Sequence, residues 1–85
     1  MAEEAPMPLD FLRLCIEKRV KIQTIDGPEL IGTLHAYDEH CNAVLSDVTE
    51  NLIAFIDDEK SVVNSRSLDL IFVRGDRIVV ISLVE

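Results

Sequence analysis

Basic residues are scarce in this chain of 85 residues. It has 8 lysines and arginines against 16 aspartates and glutamates, which gives a formal net charge of −8. This balance excludes a broad basic groove for nucleic acid, so any RNA contact would depend on a few local residues. The chain also lacks an apolar run approaching the ~20 residues of a membrane span, and we expect no membrane partner.

Cysteines are few, and the N-terminus lacks the features of a signal peptide. The stretch "MAEEAPMPLD" is acidic and has no apolar core, which predicts an intracellular, reducing setting. The two cysteines, Cys15 and Cys41, fit that setting as free thiols. Because a chain this short buries only about 60% of its unfolded surface, we expect added stabilisation from disulfides, metal or oligomerisation.

Hydrophobic periodicity predicts one helix followed by five strands. In "PLDFLRLCIEKR", residues 8–19, apolar side chains recur at spacings of three and four, which is typical of an amphipathic helix. From Val20 the period changes to two, as in a half-buried strand. We predict a flexible N-terminus over residues 1–7 and one domain over 8–85. The first predicted strand starts at Val20, and the other four span residues 29–38, 43–56, 67–73 and 78–84. The segment "DDEK" at 57–60 is predicted to be a polar loop tip.

The links between the predicted strands are short and contain no helix, which indicates an antiparallel, meandering sheet. Gly32 lies in the middle of the second strand and indicates a sharp bend or a close backbone approach. We therefore predict a mainly β fold. Its N-terminal α-helix precedes a strongly bent five-stranded antiparallel sheet that forms a small open barrel, and the helix caps one open end.

The last two predicted strands, "LIFV" and "IVVISLV", are nearly continuous apolar runs. A sheet with one solvated face shows alternation, so these runs indicate that both faces or an edge are covered. Either the barrel interior and the helix cover them, or another subunit does. Edge-to-edge pairing between subunits, repeated head to tail, would close into a ring.

The segment "YDEHCN", residues 37–42, concentrates polar and reactive side chains in six positions. A metal site would draw on His35, His40, Cys41 and Asp38, but these residues lack the paired spacing of zinc ligands. A nucleophilic Cys41 would need an electropositive surrounding, and the surrounding sequence is acidic. We therefore predict no metal, no cofactor, no small-molecule substrate and no enzymatic activity. A plain surface turn and a slot for a nucleotide base remain.

A second polar turn, "RGD" at residues 74–76, separates the last two strands. Without a signal peptide, an extracellular adhesion motif is excluded. Glycine between two apolar strands is typical of a hairpin turn, because glycine takes positive φ without steric cost. A hairpin requires Gly75, but it does not require Arg74.

The two turns can emerge on the same side of a small curled sheet and form one slot. His40 and Arg74 each offer a flat group on which a base can stack. Asn42 presents a carbonyl and an amide that match the edge of uracil, and Asp38 can orient that amide. Gly75 leaves a backbone N–H accessible. These five residues are the predicted RNA-binding site.

Both segments resemble the motifs of the Like-Sm proteins, which have the Sm fold. "GTLHAYDEHCNAVLSDV", residues 32–48, is similar to the first Sm motif, and "LIFVRGDRIVVI", residues 70–81, resembles the second. The first motif is carried by Gly32, Asp38, Asn42, Leu45 and Asp47. The resemblance extends from the helix at Pro8 to Val84.

The resemblance implies a ring of usually seven Like-Sm subunits, in which the fourth strand of one subunit pairs with the fifth strand of the next. It implies uridine-rich single-stranded RNA near the central pore, with His40 and Arg74 stacking on a base, Asn42 hydrogen-bonding its edge, Asp38 holding Asn42, and Gly75 adding a backbone contact. It also implies nuclear rings in pre-mRNA splicing and cytoplasmic rings in mRNA decapping and decay. A purely structural ring subunit without RNA contact is the alternative, and the isolated chain could form a homo-oligomer.

Overall fold

The computed structural model describes residues 8–84, so the predicted flexible segment 1–7 lies outside the described residues, as does Glu85. The chain forms a helix and then five strands, and the predicted mainly β fold is confirmed. Among residues 8–84, no helix has the length and apolarity to cross a membrane. The elements are α1 (Pro8–Cys15), β1 (Arg19–Thr24), β2 (Glu29–Tyr37), β3 (Ala43–Ile56), β4 (Glu59–Val73), the 3-10 turn η1 (Gly75–Arg77) and β5 (Ile78–Leu83).

Helix α1 ends four residues before the predicted boundary. Glu17 has a positive φ of 65°, and its N–H donates to the carbonyl of Leu34 in β2 at 2.7 Å. The carbonyl of Lys18 in turn accepts from the N–H of Leu34 at 3.0 Å. These bonds tie the chain to β2 directly after the helix, so tertiary pairing ends α1 although the local sequence favours its continuation.

The five strands form one antiparallel sheet in the order β4-β3-β2-β1-β5. The predicted meander holds for the first four strands, but β5 pairs with β1, where Ile22 lies opposite Ile81. The hairpin interpretation of residues 74–76 is therefore wrong, because η1 carries the chain from one edge of the sheet to the other. The sheet is not closed, which fits the predicted open barrel.

Strand β4 is longer than predicted, since it begins at Glu59 and not at residue 67. It pairs with β3 along its whole length: Val73 lies opposite Ala43 at one end, and Glu59 lies opposite Ile56 at the other. Only Asp57 and Asp58, with φ of 54° and 66°, form the connection, and the "DDEK" loop prediction is wrong in extent. Positive φ at two consecutive residues is the geometry of a tight two-residue hairpin. The polar sequence of residues 59–66 has no periodic hydrophobic signal because both faces of this part of β4 are largely exposed.

Gly32 allows a close backbone approach between β2 and β3, which is one of the two features predicted for it. The register between β2 and β3 shifts between Ile31 and Thr33. A Cβ atom on Gly32 would lie 2.9 Å from Cγ2 of Val48 and 3.0 Å from the carbonyl oxygen of Ser46. Glycine therefore allows a close approach of β2 and β3 that any side chain would prevent.

The core is formed by side chains from α1 and from the sheet. Leu12 and Cys15 of α1 are buried against Ile22, Leu34 and Leu45. Both cysteines are free thiols, as predicted. Burial raises the pKa of the Cys15 thiol above its ordinary value, although Lys18 opposes this effect.

The apolar runs at the two sheet edges are not covered within the chain. Leu70 and Phe72 of β4 are 65% and 63% exposed, and Val79 and Val80 of β5 are 59% and 46% exposed. The interpretation that the helix and the barrel interior cover them is therefore wrong for these four side chains. They leave an apolar surface on each edge of the open sheet.

Candidate nucleic-acid interface

The predicted meeting of the two polar turns is present in the structure. The β2–β3 loop, residues 38–42, and the turn at 74–76 are joined by a hydrogen bond of 2.7 Å from the Gly75 N–H to Oδ1 of Asn42. A Cβ atom on Gly75 would lie 2.0 Å from the carbonyl oxygen of His40. Gly75 is required for this close approach and not for a positive φ, since Gly27 is the only described glycine with positive φ.

Asp38 organises the β2–β3 loop. Its Oδ1 accepts from the backbone N–H of His40 at 2.8 Å and of Asn42 at 3.1 Å. Its Oδ2 accepts from Nδ2 of Asn42 at 2.9 Å, which is the predicted orienting bond. These bonds, above all the one from the Asn42 amide, hold the pKa of Asp38 below its ordinary value. The loop also places Cys41 at a positive φ of 64°.

The side-chain amide of Asn42 is fixed at both ends. Its oxygen accepts from Gly75, and its nitrogen donates to Asp38. An amide oxygen has two lone pairs and an amide nitrogen has two hydrogens, so one acceptor position and one donor position remain on the oriented group. The prediction of an accessible Gly75 N–H is wrong, because that N–H is used to hold Asn42.

The two stacking candidates flank the same open cleft. His40 and Arg74 have exposed side chains, and Arg74 Nη2 lies 2.9 Å from Oδ2 of Asp76. The pairing of Asp76 with Arg74 was not predicted from the sequence. The available signal was the position of Asp76 two residues after Arg74 in a turn. The cleft has a volume of about 640 Å³ and is lined by His40, Cys41, Asn42, Arg74, Gly75 and Asp76.

The residues weighed as metal ligands do not come together. His35 is engaged elsewhere, with Nε2 at 2.6 Å from Oγ of Ser46 and Nδ1 at 3.4 Å from Oε2 of Glu17. In the part of the chain that the structure describes, no group of three or more His, Cys, Asp or Glu residues could hold a metal ion. The residues lining the cleft offer an imidazole, a guanidinium and an amide.

A helix followed by a bent, open, five-stranded antiparallel sheet, with two polar turns meeting at one side, defines a protein of the Sm fold. Residues 10–83 match the LSM domain family, and the chain belongs to that family. The combination of "LHAYDEHCN" with "FVRGD" predicts a resemblance to the third Like-Sm subunit, and the curated relatives confirm it.

Two relatives show how far this similarity extends. "Sm-like protein LSM3B" of Arabidopsis thaliana is 39% identical over 94% of this chain and 89% of its own length. "LSM complex subunit lsm3" of Schizosaccharomyces pombe is 38% identical over 95% of this chain and 92% of its own. The chain is therefore similar to LSm3 proteins along nearly its whole length.

Solved structures agree on the fold. The Sm protein of Pyrococcus abyssii in complex with a uridine heptamer has a TM-score of 0.75 at 33% identity, over 93% of this chain and 100% of the other. A heptameric archaeal Sm protein has a TM-score of 0.70 at 30% identity, over 89% and 98% of the two chains.

Proposed function

We propose that this chain is an RNA-binding subunit of a Like-Sm ring and that it holds one base of a uridine-rich single-stranded RNA end in the cleft. The observation that carries the proposal is the hydrogen-bond chain from Asp38 through Asn42 to Gly75. This chain of bonds gives the turn an amide fixed at both ends. A base-reading site needs one, since a freely rotating amide offers donor and acceptor in either order.

The free donor and acceptor positions of the Asn42 amide suit the edge of uracil. Uracil presents an N–H donor beside a carbonyl acceptor, and the oriented amide offers a free lone pair beside a free hydrogen. His40 and Arg74 would stack on the faces of the base, which contributes about 1–3 kcal/mol per base and tolerates any base. In this division of roles, stacking contributes most of the affinity, and Asn42 determines which base is preferred.

The charges of the chain favour RNA binding through a few local contacts. With a net charge of −8, the domain as a whole repels a polyanion. The cleft itself contains Arg74, whose guanidinium is paired with Asp76. That pair holds the guanidinium at the cleft and lowers its net charge, so stacking and not phosphate attraction is the expected role of Arg74.

The open sheet supports the ring. The outer edge of β4 and the outer edge of β5 are both unpaired in the chain, and both carry exposed apolar side chains such as Phe72 and Val79. An antiparallel pairing of β4 in one subunit with β5 in the next would cover these edges and continue the sheet. A heptamer is favoured by the similarity to the heptameric archaeal protein. The partners would be other Like-Sm subunits, or further copies of this chain in isolation.

The proposed cellular roles follow the relatives. "Probable U6 snRNA-associated Sm-like protein LSm3" of Dictyostelium discoideum is 39% identical over 88% of this chain and 82% of its own length. We assign this chain to rings that act in pre-mRNA splicing in the nucleus and in mRNA decapping and decay in the cytoplasm. No cofactor, membrane or small-molecule substrate forms part of the proposal.

The proposal is tested by replacing one histidine at a time. His40→Ala should weaken binding of the assembled protein to a short oligouridine by about 1–3 kcal/mol, because it removes one stacking surface. His35→Ala is the matched control, since His35 is also exposed but contacts Ser46 and Glu17 outside the cleft. Fluorescence anisotropy with labelled oligouridine measures both.

A purely structural ring subunit is the second candidate. It is favoured by the internal partners of Asn42 and Arg74, which explain these residues without a ligand. If His40→Ala and His35→Ala bind oligouridine as tightly as the unmodified chain, the structural role is supported and the base slot is rejected.

A further inference from the structure

The outer edge of β4 extends well beyond the part that a ring would cover. β4 has 15 residues, whereas β5 has 6. Pairing with the β5 of a neighbour therefore covers the apolar part of β4 near residues 67–73 and leaves residues 59–66 open. We call this segment the distal edge. It forms the outer strand of the β3–β4 hairpin beyond the core.

The distal edge has the properties of a strand that pairs with another chain. Val62 and Val63 at its centre are each 55% exposed. An unpaired edge strand with exposed apolar side chains is a ready template for strand addition, and proteins normally block such edges with charges or proline. Residues 59–66, "EKSVVNSR", contain no proline and carry charges only at their ends.

The sequence of the distal edge is complementary to itself in antiparallel orientation. An antiparallel copy centred between the two valines brings opposite charges together at both ends, and between them it places a lysine opposite a serine and a serine opposite an asparagine. The opposed pairs are Glu59 with Arg66, Lys60 with Ser65, Ser61 with Asn64, and Val62 with Val63. Opposite charges directly across from each other stabilise a strand pair, whereas like charges destabilise it.

A bulge at the centre gives this pairing the correct phase. Val62 lies opposite Ile53 and Asn64 lies opposite Leu52, so Val63 has no β3 residue opposite it. In a regular strand, residues an odd number apart point to opposite faces, and the members of each pair above are an odd number apart. The extra residue at Val63 reverses the phase on one side of the centre.

The two charged ends consequently lie on the same face of the hairpin. Glu59 is opposite Ile56, and Arg66 is opposite Glu50, and these two β3 residues are an even number apart. Residues an even number apart along a regular strand share a face. Glu59 of one chain and Arg66 of another would therefore meet on one face when the two edges pair. Without the bulge they would point to opposite faces.

From this phase and charge pattern we infer that the distal edge binds the distal edge of a second copy of this chain. The contact is isologous, so each pairing forms two Glu59–Arg66 ion pairs around a central cluster of four valines. Arg66 already binds Glu50 within its own chain, and a guanidinium has enough donors to bind a second carboxylate. Among the described residues, Glu59 forms no ion pair, and it is available to the second copy.

The charge pattern permits a test by complementation. Glu59→Arg and Arg66→Glu each place like charges at both ends of the pairing and should raise its dissociation constant about tenfold. An equimolar mixture of the two variants restores opposite charges at both ends, and so does the double variant. Asp57→Arg is the matched control, because it makes the same charge change at the hairpin turn outside the paired segment.

Native mass spectrometry and sedimentation velocity measure the assembly of the full chain. For the unmodified chain we expect pairs of whole assemblies, which become single assemblies in each charge variant and pairs again in the mixture. Val80→Glu, which disrupts the β5 edge, should leave dimers joined through the distal edge. Such dimers would support the inference even if ring formation fails.

The inference is overturned if the unmodified chain never forms pairs. It is also overturned if Glu59→Arg and Arg66→Glu leave the pairs intact, or if mixing these variants does not restore them. If Asp57→Arg weakens the pairing as strongly as Glu59→Arg does, the loss comes from a general charge effect. The proposed register of the two distal edges would then also be rejected.

Discussion

Replacing Gly75 with alanine tests the contact that joins the two turns. The added Cβ atom would lie 2.0 Å from the carbonyl oxygen of His40 and 2.9 Å from the carbonyl carbon of Cys41. Both are backbone atoms, so no flexible side chain can move to relieve the overlap. The two turns must separate, which removes the 2.7 Å hydrogen bond from Gly75 to Asn42.

Two contributions set the magnitude of this effect. Forcing an extra carbon into a packed site costs about 1–3 kcal/mol, and losing one hydrogen bond costs about 1 kcal/mol. A loss of roughly 2–4 kcal/mol in the free energy of unfolding follows. For a domain of this size, each kcal/mol shifts the melting temperature by about 4–8 °C, so Gly75→Ala should melt at least about 8 °C lower.

Calorimetry and oligouridine binding, both at one fixed protein concentration, measure the outcome. Gly27→Ala is the matched control: Gly27 has a φ of 117° but no atom within 4 Å of the added Cβ. That variant should lose about 1–2 kcal/mol from backbone strain and keep its RNA affinity, whereas Gly75→Ala should lose both stability and RNA affinity. Unchanged stability and unchanged RNA binding in Gly75→Ala would refute the close approach of the two turns.

Two further predictions concern assembly and pH. Val80→Glu places a charge on the apolar β5 edge and should break the multimer into species of at most two chains by native mass spectrometry; a full multimer in this variant would contradict edge pairing between β4 and β5. The pKa of Asp38 is lowered on folding, so its charge stabilises the loop above its ordinary pKa, and this contribution is lost as pH falls through the lowered value. Asp38→Asn should therefore be less stable than the unmodified chain in urea at about pH 7, and this deficit should shrink as pH falls through the lowered pKa of Asp38; a deficit that does not change with pH would contradict this role of the carboxylate.

Periodicity predicted the helix and the number of strands because the core depends on it. Leu12 and Ile22 are buried at the helical and strand spacings that the sequence shows. The end of α1 was not predictable in this way, since the hydrogen bond from the Glu17 N–H to the Leu34 carbonyl, which stops the helix, links residues 17 positions apart. The start of β4 was missed for a related reason, because residues 59–66 pair along β3 without burying an alternating face.

The candidate site was predicted more completely than the sheet order. The Asp38–Asn42 bond joins residues four apart, so the local sequence contains both partners. The role of Gly75 was misjudged because its constraint comes from His40, which is 35 positions away in the chain. The crossing of η1 to the far edge of the sheet was also not predictable from the local sequence. Strand β5 could have paired with β4 or with β1. Only the closure of the core around Ile22 and Ile81 decides between these two pairings.

If Asn42 reads the identity of a base, the preference of the assembled protein for oligouridine over oligocytidine must depend on its side chain. The ratio of the two dissociation constants is measured for the unmodified chain, for Asn42→Ala and for Asn64→Ala, an asparagine on the distal edge outside the cleft. We expect Asn42→Ala to bring this ratio close to one, with part of the affinity retained through stacking, and Asn64→Ala to leave the ratio unchanged. An unchanged ratio in Asn42→Ala would contradict the claim.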